Sequence, residues 1–332
     1  MRVAVVAGAR PQFVKAAALV PALRARGEVL FVHTGQHDDR RMVEAHFQGL
    51  RLAAPDHRLV LRSQERCARL AEMVAALTQL LEERPVERVL SLGDADSAVA
   101  AAIAASFRDL PVGHVEAGAR SGERDLPEER NRILVDELSD AFFCSTEAHA
   151  GNLEGRPGVH VTGDVMADVL LARKDGLPRE KGEYGVLTLH RAHTADDPAA
   201  VARVFGAVGG AACRVLFPKH PRTRVGTLPP NVGEMPPLPY LDFMGLVAGA
   251  KFVVTDSGGL QKEAYLLGVP CITLRDATEW GETVACGWNV LTGTDSTKIA
   301  AALRAPPRGR TRPALYGDGH AAERIAALLA SP

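Results

Sequence analysis

Short apolar runs rich in valine, leucine and isoleucine recur along the chain, each followed by a polar turn and then by a stretch with apolar residues at helical spacing. In the first half the runs predict strands at residues 3–7, 29–33, 89–92, 112–115, 141–145 and 159–162, with helices between them, notably 68–81 and 128–138. In the second half the predicted strands are 185–189, 214–218, 252–255 and 271–274, with helices near 198–208, 241–248 and 260–267. Strand and helix alternating in this way predict an α/β chain with mainly parallel sheets. Between the two groups, residues 172–183 are charged, carry Gly and Pro and lack apolar periodicity, which reads as a linker. The expected organisation is a Rossmann-like domain over 1–171, the linker, a second such domain over 184–311 and a final segment 312–332. That segment holds a helix over 316–330, a candidate to pack back on the first domain. Two doubly wound domains facing a cleft would bring the carboxyl ends of both sheets to it, where open α/β sheets bind ligands.

Composition narrows the function. A length of 332 residues suits two domains, and 46% hydrophobic with 24% charged residues excludes disorder as the main state. No apolar run approaches the ~20 residues of a membrane span. Met1-Arg2 and the short run after it end in a turn, not a cleavage site, so no export signal is read and the cytoplasm is expected. The cysteines (Cys67, Cys144, Cys213, Cys271, Cys286) stand singly, as reduced thiols do. A net charge of −1 supplies no basic stripe, so nucleic acid is not an expected partner. A homodimer is, because it is the commonest symmetric assembly.

The candidate chemistry follows strands. Thr255-Asp256-Ser257-Gly258-Gly259 leaves a strand and opens a helix, a turn whose backbone N–H groups favour a diphosphate. Glu263 lies one turn along, within reach of ribose hydroxyls. The alternative is a plain turn in which Ser257 only caps the helix. Gly8-Ala9-Arg10-Pro11-Gln12-Phe13-Val14-Lys15 also follows a strand, but neither GxGxxG nor a Walker sequence is present, so no dinucleotide or ATP site is expected. Arg10 and Lys15 are candidates to clamp a leaving diphosphate, or else solvated surface charges. Asp94, Glu116 and His190 each finish a predicted strand, and Glu128 opens a helix with Pro127 at its first position. A metal is the weaker alternative: Asp94-Ala95-Asp96 imitates a DxD, and His33, His37, Asp38 and Asp39 are possible ligands. Asp96 is expected instead to cap the helix that follows.

These residues together resemble the non-hydrolysing UDP-N-acetylglucosamine 2-epimerases, a family with the glycosyltransferase-B architecture of two Rossmann-like domains. The carriers of the resemblance run almost end to end: Gly8-Ala-Arg-Pro-Gln-Phe-Val-Lys15, His33-Thr-Gly-Gln-His37, Gly93-Asp94, His114-Val-Glu-Ala-Gly-Ala-Arg120, Pro127-Glu-Glu-Arg-Asn-Arg132, Leu189-His-Arg191, Thr255-Asp-Ser-Gly-Gly259 and Thr278-Glu-Trp-Gly-Glu282. The resemblance implies a UDP-sugar substrate, no cofactor and no metal. It implies Asp94, Glu116, Glu128, His190 and Lys15 as catalytic residues, with Arg10, His220, Ser257, Gly258, Gly259, Glu263 and Arg275 holding UDP. The reaction implied is anti elimination of UDP to a 2-acetamidoglucal and re-addition of UDP, interconverting UDP-N-acetylglucosamine and UDP-N-acetylmannosamine.

Several residues depart from the family pattern. Asp38-Asp39 stand where members with a second, regulatory substrate site have an Arg, and Lys262 replaces an acidic residue beside Glu263. Arg62-Ser63-Gln64-Glu65-Arg66 replaces a Gly/Ser-rich stretch. Pro11-Gln12-Phe13, Thr278-Glu279-Trp280 and Gly287-Trp288-Asn289 resemble the branch acting on UDP-2,3-diacetamido-2,3-dideoxyglucuronate, the alternative substrate. Competing readings are a glycosyltransferase on the same fold, a silent UDP-sugar binder, and a hydrolytic variant that releases the free sugar.

Overall fold

The computed structural model describes residues 1–36, 44, 47–178, 180, 182–220 and 222–330. His37, Asp38 and Asp39 therefore lie outside the described residues. The chain divides into two compact units: Met1–Ala172 with Ala314–Pro332, and Arg173–Pro313.

The first unit is built on β1 (Arg2–Ala7), β2 (Glu28–His33), β3 (His57–Arg58), β4 (Arg88–Leu92), β5 (Val112–Val115), β6 (Ala141–Cys144) and β7 (Val159–Val161). They form one parallel sheet in the order β3-β2-β1-β4-β5-β6-β7. The second unit carries β8 (Tyr184–Thr188), β9 (Arg214–Pro218), β10 (Val232–Met235), β11 (Val253–Thr255), β12 (Cys271–Thr273) and β13 (Asn289–Leu291). Its parallel order, β10-β9-β8-β11-β12-β13, repeats the same winding. In each sheet the winding reverses beside the first strand, between β1 and β4 and between β8 and β11. A doubly wound sheet opens a crevice at the carboxyl ends of those two strands.

Each unit has its own core. In the first, Ala4, Val6, Leu30 and Val32 meet Met73 and Leu77 of the helix Arg66–Glu83 and the alanines of the helix Asp96–Ser106. That second helix is buried nearly all round, which its small side chains permit, because they let it lie close against the sheet. In the second, Leu187, Phe217, Val254 and Ile272 pack on Val201, Val204 and Phe205 of the helix Pro198–Val208.

The interior strands and the helices 68–81, 128–138, 198–208 and 241–248 lie within a few residues of their expected bounds. Three strands were not expected: β3, β10 and β13. Each is an edge strand, paired on one side only, and β10 reads Val-Gly-Glu-Met, with too little apolar periodicity to mark it. The last helix spans Ala321–Ala330 rather than starting at Tyr316, because Gly317 and Gly319, at φ 89° and 96°, turn the chain first. The stretch read as a linker contains a 3-10 turn, Lys174–Gly176, and a buried Leu177, and it belongs with the second unit after Ala172.

The final helix packs on the helices Arg10–Arg24 and Val165–Leu171. Its first N–H groups, at Ala321 and Ala322, donate to the Asp168 carboxylate at 3.0 and 2.7 Å, a cap supplied from more than 150 residues away. Asp168→Ala should therefore cost ~1–2 kcal/mol of local stability. Amide hydrogen exchange should show the loss in 321–330 and leave the second unit unchanged.

Candidate active site

At the switch point of the first sheet the turn after β1 is closed by its own helix. Gly8 N–H and Ala9 N–H donate to Gln12 Oε1 at 2.7 and 2.9 Å, and Ser97 Oγ donates to the same oxygen at 2.7 Å. Gln12 Nε2 donates to Leu92 O at 2.8 Å, tying this turn to the end of β4. The amides that would cradle a phosphate are thus engaged, which is the physical counterpart of the missing glycine fingerprint. Arg10 sits half-buried at the start of the same helix.

Lys15, one turn further along that helix, is 3% exposed and places Nζ 2.8 Å from Glu116 Oε1, itself 7% exposed. Glu116 follows β5 with φ 72°, a left-handed conformation unusual for a residue with a side chain. It is held there because Glu116 N–H and Ala117 N–H both donate to Phe143 O on β6. Gly93, after β4, completes the arrangement. Its φ is 65°, and a β-carbon there would lie 2.4 Å from Lys15 Nζ and 3.4 Å from Glu116 Oε1. Only glycine lets the ion pair come this close to the turn.

Asp94, next in the chain, pairs with Arg132 Nη2, and Asn131 Nδ2 donates to Asp94 O at 2.8 Å. Both partners come from the helix Pro127–Glu137, in which Pro127 is the first residue as expected. Glu128 is half-buried on that first turn, near enough to Arg66 to help keep its guanidinium charged. Its neighbour Glu129 is the inward one, accepting from Ser121 N–H and Gly122 N–H at 3.0 Å each and pairing with Arg132.

Asp96 does not cap the helix Asp96–Ser106; the cap position is Ala95, and the Asp96 carboxylate turns to Arg66 at 2.6 Å and Asn131 at 3.0 Å. Asp94 and Asp96 are therefore each committed to a different guanidinium, which is unlike a DxD sharing one cation. Among the described residues no group of three or more His, Cys, Asp or Glu is arranged to hold a metal ion. His33 is buried and stacked on Phe13 at 5.1 Å between ring centroids.

Sequence reasoning passed over a residue on which this region rests. Asp136 is fully buried and receives His114 Nδ1 at 2.6 Å, Arg120 Nη2 at 2.6 Å and Gly118 N–H at 3.3 Å. Burial pushes its carboxyl up, but His114 and Arg120 outweigh burial and hold it below the usual carboxylate range. Asp96 is lowered in the same way by Arg66 and Asn131 against burial, and Glu129 by the Ser121 and Gly122 amides and Arg132. A charged residue directly after Leu134-Val135 in the last turn of the helix was the available signal for Asp136.

In the second unit the switch point lies between β8 and β11. His190, two residues past β8, has a 39% exposed side chain with Nδ1 3.3 Å from Asp256 Oδ1. Asp256 is fully buried and also accepts the His190 and Arg191 N–H groups, at 3.0 and 2.9 Å. It too was missed as a positioning residue, although it stands in the Thr255–Gly259 turn. His220 places its ring 5.8 Å from that of His190, so these two expected site residues are brought together.

Ser257 is the cap of the helix Gly258–Leu267, its Oγ accepting from Leu260 N–H at 3.4 Å. The first N–H groups of that helix, at Gly258 and Gly259, are ones a helix cannot satisfy internally. A β-carbon on Gly258 would lie 2.2 Å from Glu279 Oε1, so the turn packs tightly on the Thr278–Glu282 loop. Glu263 is 6% exposed one turn along. Arg275 is also buried, with Nη1 2.7 Å from Glu279 Oε2, and Arg191 lies 4.0 Å from the other oxygen of the same carboxylate. Lys262, buried beside Glu263, sets Nζ 4.3 Å from the centre of the Trp280 ring.

The family model described as UDP-N-acetylglucosamine 2-epimerase matches residues 22–330. The chain belongs to that family. It is accordingly an isomerase of the sugar-nucleotide 2-epimerase class. It is 36% identical to a UDP-N-acetylglucosamine 2-epimerase homolog of Methanococcus maripaludis, over 99% of each chain. It is 37% identical to the UDP-2,3-diacetamido-2,3-dideoxy-D-glucuronate 2-epimerase of Pseudomonas aeruginosa, again over 99% of each. Among solved structures, the UDP-N-acetylglucosamine 2-epimerase of Methanocaldococcus jannaschii, in complex with UDP-N-acetylglucosamine and UDP, matches with a TM-score of 0.90 at 30% identity over 99% of both chains. The glycosyltransferase SnogD of Streptomyces nogalater shares the fold alone, with a TM-score of 0.53 at 14% identity.

Two outcomes test this geometry. Gly93→Ala should cost ~1–2 kcal/mol through its left-handed backbone and more through the displaced Lys15, read by denaturant unfolding. Carboxyls whose folded pKa is depressed contribute stability above the ordinary carboxylate pKa, ~4, and lose it as pH falls through the lowered folded value. Unfolding free energy should therefore drop on acidification below about pH 4. Asp136→Asn should flatten part of that drop while costing ~3 kcal/mol at neutral pH, because it removes the buried carboxylate shared by His114 and Arg120.

Proposed function

We propose that the chain interconverts UDP-N-acetylglucosamine and UDP-N-acetylmannosamine by eliminating UDP across C1–C2 and adding it back. A C2 proton beside an acetamido group is barely acidic, so the C1–O bond must stretch early and lend C2 positive neighbours before a carboxylate removes the proton. The electron pair of the C2–H bond forms the C1–C2 double bond, and the C1–O pair leaves with UDP. Return of a proton to the other face of C2, with UDP rejoining C1, completes the inversion. Two faces require two proton-transfer groups.

The observation that carries this reading is the set of charges at the carboxyl end of the first sheet: Asp94 with Arg132 and Glu116 with Lys15, two carboxylates each beside a cation around one glycine turn. We assign proton transfer to Asp94 and Glu116, with Glu128 and Lys15 as assisting catalytic residues, and charge support at the departing diphosphate to His190 with His220 and Arg10. Ser257, Gly258 and Gly259 offer helix-end donors to the diphosphate, each well-placed donor contributing ~3–4 kcal/mol to a developing anion. Glu263 suits the ribose hydroxyls, and Arg275 acts by holding Glu279 against the Gly258 turn. The resemblance to the M. jannaschii enzyme, solved with UDP-N-acetylglucosamine and UDP, supports the substrate class.

A second substrate is favoured by a specific observation. The Lys262–Trp280 contact pairs two of the departures from the general family pattern, and the 37% identity to the diacetamido-glucuronate 2-epimerase points the same way. We also propose a homodimer, supported by two large apolar side chains exposed on the first unit, Phe107 just after the helix Asp96–Ser106 and Leu134 on the helix Pro127–Glu137. The cytoplasm is the proposed location, in keeping with five free cysteines.

Incubation with UDP-N-acetylglucosamine in D2O, without metal or nicotinamide, should give UDP-N-acetylmannosamine deuterated at C2 by proton NMR. An unchanged spectrum there but deuterium in the diacetamido-glucuronate would move the assignment to the second substrate, and blanks on both would refute the epimerase. Asp94→Asn and His190→Ala should each lose most turnover while unfolding normally; Glu116→Gln should lose turnover and also cost ~3 kcal/mol, because it leaves the buried Lys15 without this carboxylate. Ser257→Ala and Glu263→Gln should first weaken UDP binding, measured by calorimetry.

A further inference from the structure

His114 lies on β5 with its side chain wholly buried, Nδ1 2.6 Å from Asp136 Oδ1 and Nε2 3.0 Å from Gly93 O. Both neighbours are acceptors. A backbone carbonyl has no proton to give, and the Asp136 carboxylate is kept ionised by Arg120 on its other oxygen. A neutral imidazole has one donor and one acceptor nitrogen and would set a lone pair against one of these oxygens. An imidazolium satisfies both.

We propose that His114 is a buried imidazolium clamped between Asp136 and Gly93, and that it is the positioning residue that fixes the Gly93–Asp94 peptide in the catalytic region. The carbonyl it holds belongs to the peptide bond that carries Asp94. Gly93 N–H is fixed at the same time, donating to Val115 O at 2.9 Å. The turn is thus pinned through both of its polar groups to β5, while its Cα side faces the Lys15–Glu116 pair.

The surroundings suit a cation. From the helix Pro127–Glu137 comes Asp136, and from the loop after β5 comes Arg120, which shares that carboxylate. From β6 comes Cys144, whose thiol is pushed up to about 12 by burial first and by Asp136 next, so it stays neutral. Beyond Gly93 stand Lys15 and Glu116, which compensate each other. Asp136 is therefore the anion that faces His114 directly.

The role in catalysis rests on the epimerase reading, whereas the protonation state does not, and the tests separate them. In the full-length protein labelled with 15N-histidine, without substrate, long-range proton–nitrogen correlation should show both His114 ring nitrogens carrying protons in the folded state. One protonated and one bare nitrogen would overturn the proposal, and this readout stands whether or not any variant folds. Two variants then divide the clamp. His114→Gln places a donor where Nε2 was and keeps the bond to Gly93; His114→Asn places one where Nδ1 was and keeps the bond to Asp136.

Positioning predicts that the Gln variant keeps most of kcat and wild-type Gly93 and Asp94 amide resonances. The Asn variant should shift those resonances and lose about 100-fold in kcat with KM little changed, the penalty of a misplaced catalytic group. The reverse order would mean that His114 serves only to neutralise Asp136, and would overturn it. Because the resonances are read without substrate, they decide the positioning even if UDP-N-acetylglucosamine is not turned over.

Discussion

The buried contact between Lys15 and Glu116 is the constraint to which the first unit is fitted. Taking two charges from water costs several kcal/mol each, which their attraction offsets only when the geometry is good and the remaining polar groups are satisfied. At 2.8 Å the geometry is good, but it is assembled from distant pieces: Lys15 from the helix after β1, Glu116 from the end of β5, and Gly93 from the end of β4 making room. A slip in the register of β1, β4 and β5 would separate the charges and leave each buried alone. Glu116 adds a further cost through its left-handed backbone, of order 1–2 kcal/mol, and two N–H bonds to Phe143 O hold it there. Strain of this kind persists only where the surroundings over-determine it.

The two units share a winding and use it for opposite ends. Both have a strand, a turn and a helix at the switch point, where phosphate is usually met. In the first, Gln12 folds back and fills the turn after β1 with its own amide oxygen. In the second, Ser257 caps the helix with a short side chain, Gly258 is packed against Glu279, and Gly259 has open space beside it, which leaves the backbone approachable there. The same topology thus yields a closed turn surrounded by paired charges and a turn left open at Gly259. The difference rests on a few side chains, Gln12 against Ser257, Gly258 and Gly259.

Much of this was legible because interior parallel strands read as continuous apolar runs, and because Asp94, Glu116, His190 and Ser257 stand just after such runs. The edge strands β3, β10 and β13 were not legible, since each is four residues or shorter and β3 is only two residues long, whereas the remaining edge strand, β7, was expected. Nor was the direction of Asp96, which looked like a cap but meets Arg66, a residue thirty positions earlier in a stretch that had been remarkable only for departing from the family pattern. Asp136 and Asp256 stayed hidden for a related reason. Their partners are a histidine on a neighbouring strand and the backbone of a loop, and a single sequence does not display such pairings.

On the proposed chemistry, this economy of paired charges has a kinetic meaning. An epimerase runs its elimination in both directions, so neither carboxylate can be specialised as the permanent acid or the permanent base. Asp94 and Glu116 each arrive beside a cation, Arg132 or Lys15, and each cation is itself nearly buried. Every one of these groups is held before substrate arrives, so little reorganisation is needed when charge develops at C1 and C2. A carboxylate that gives up its anionic character on taking the C2 proton leaves its cation momentarily in excess, and that cation favours return of the proton. Each carboxylate can thus take the proton or give it back against the same neighbouring cation, in either direction of the reaction.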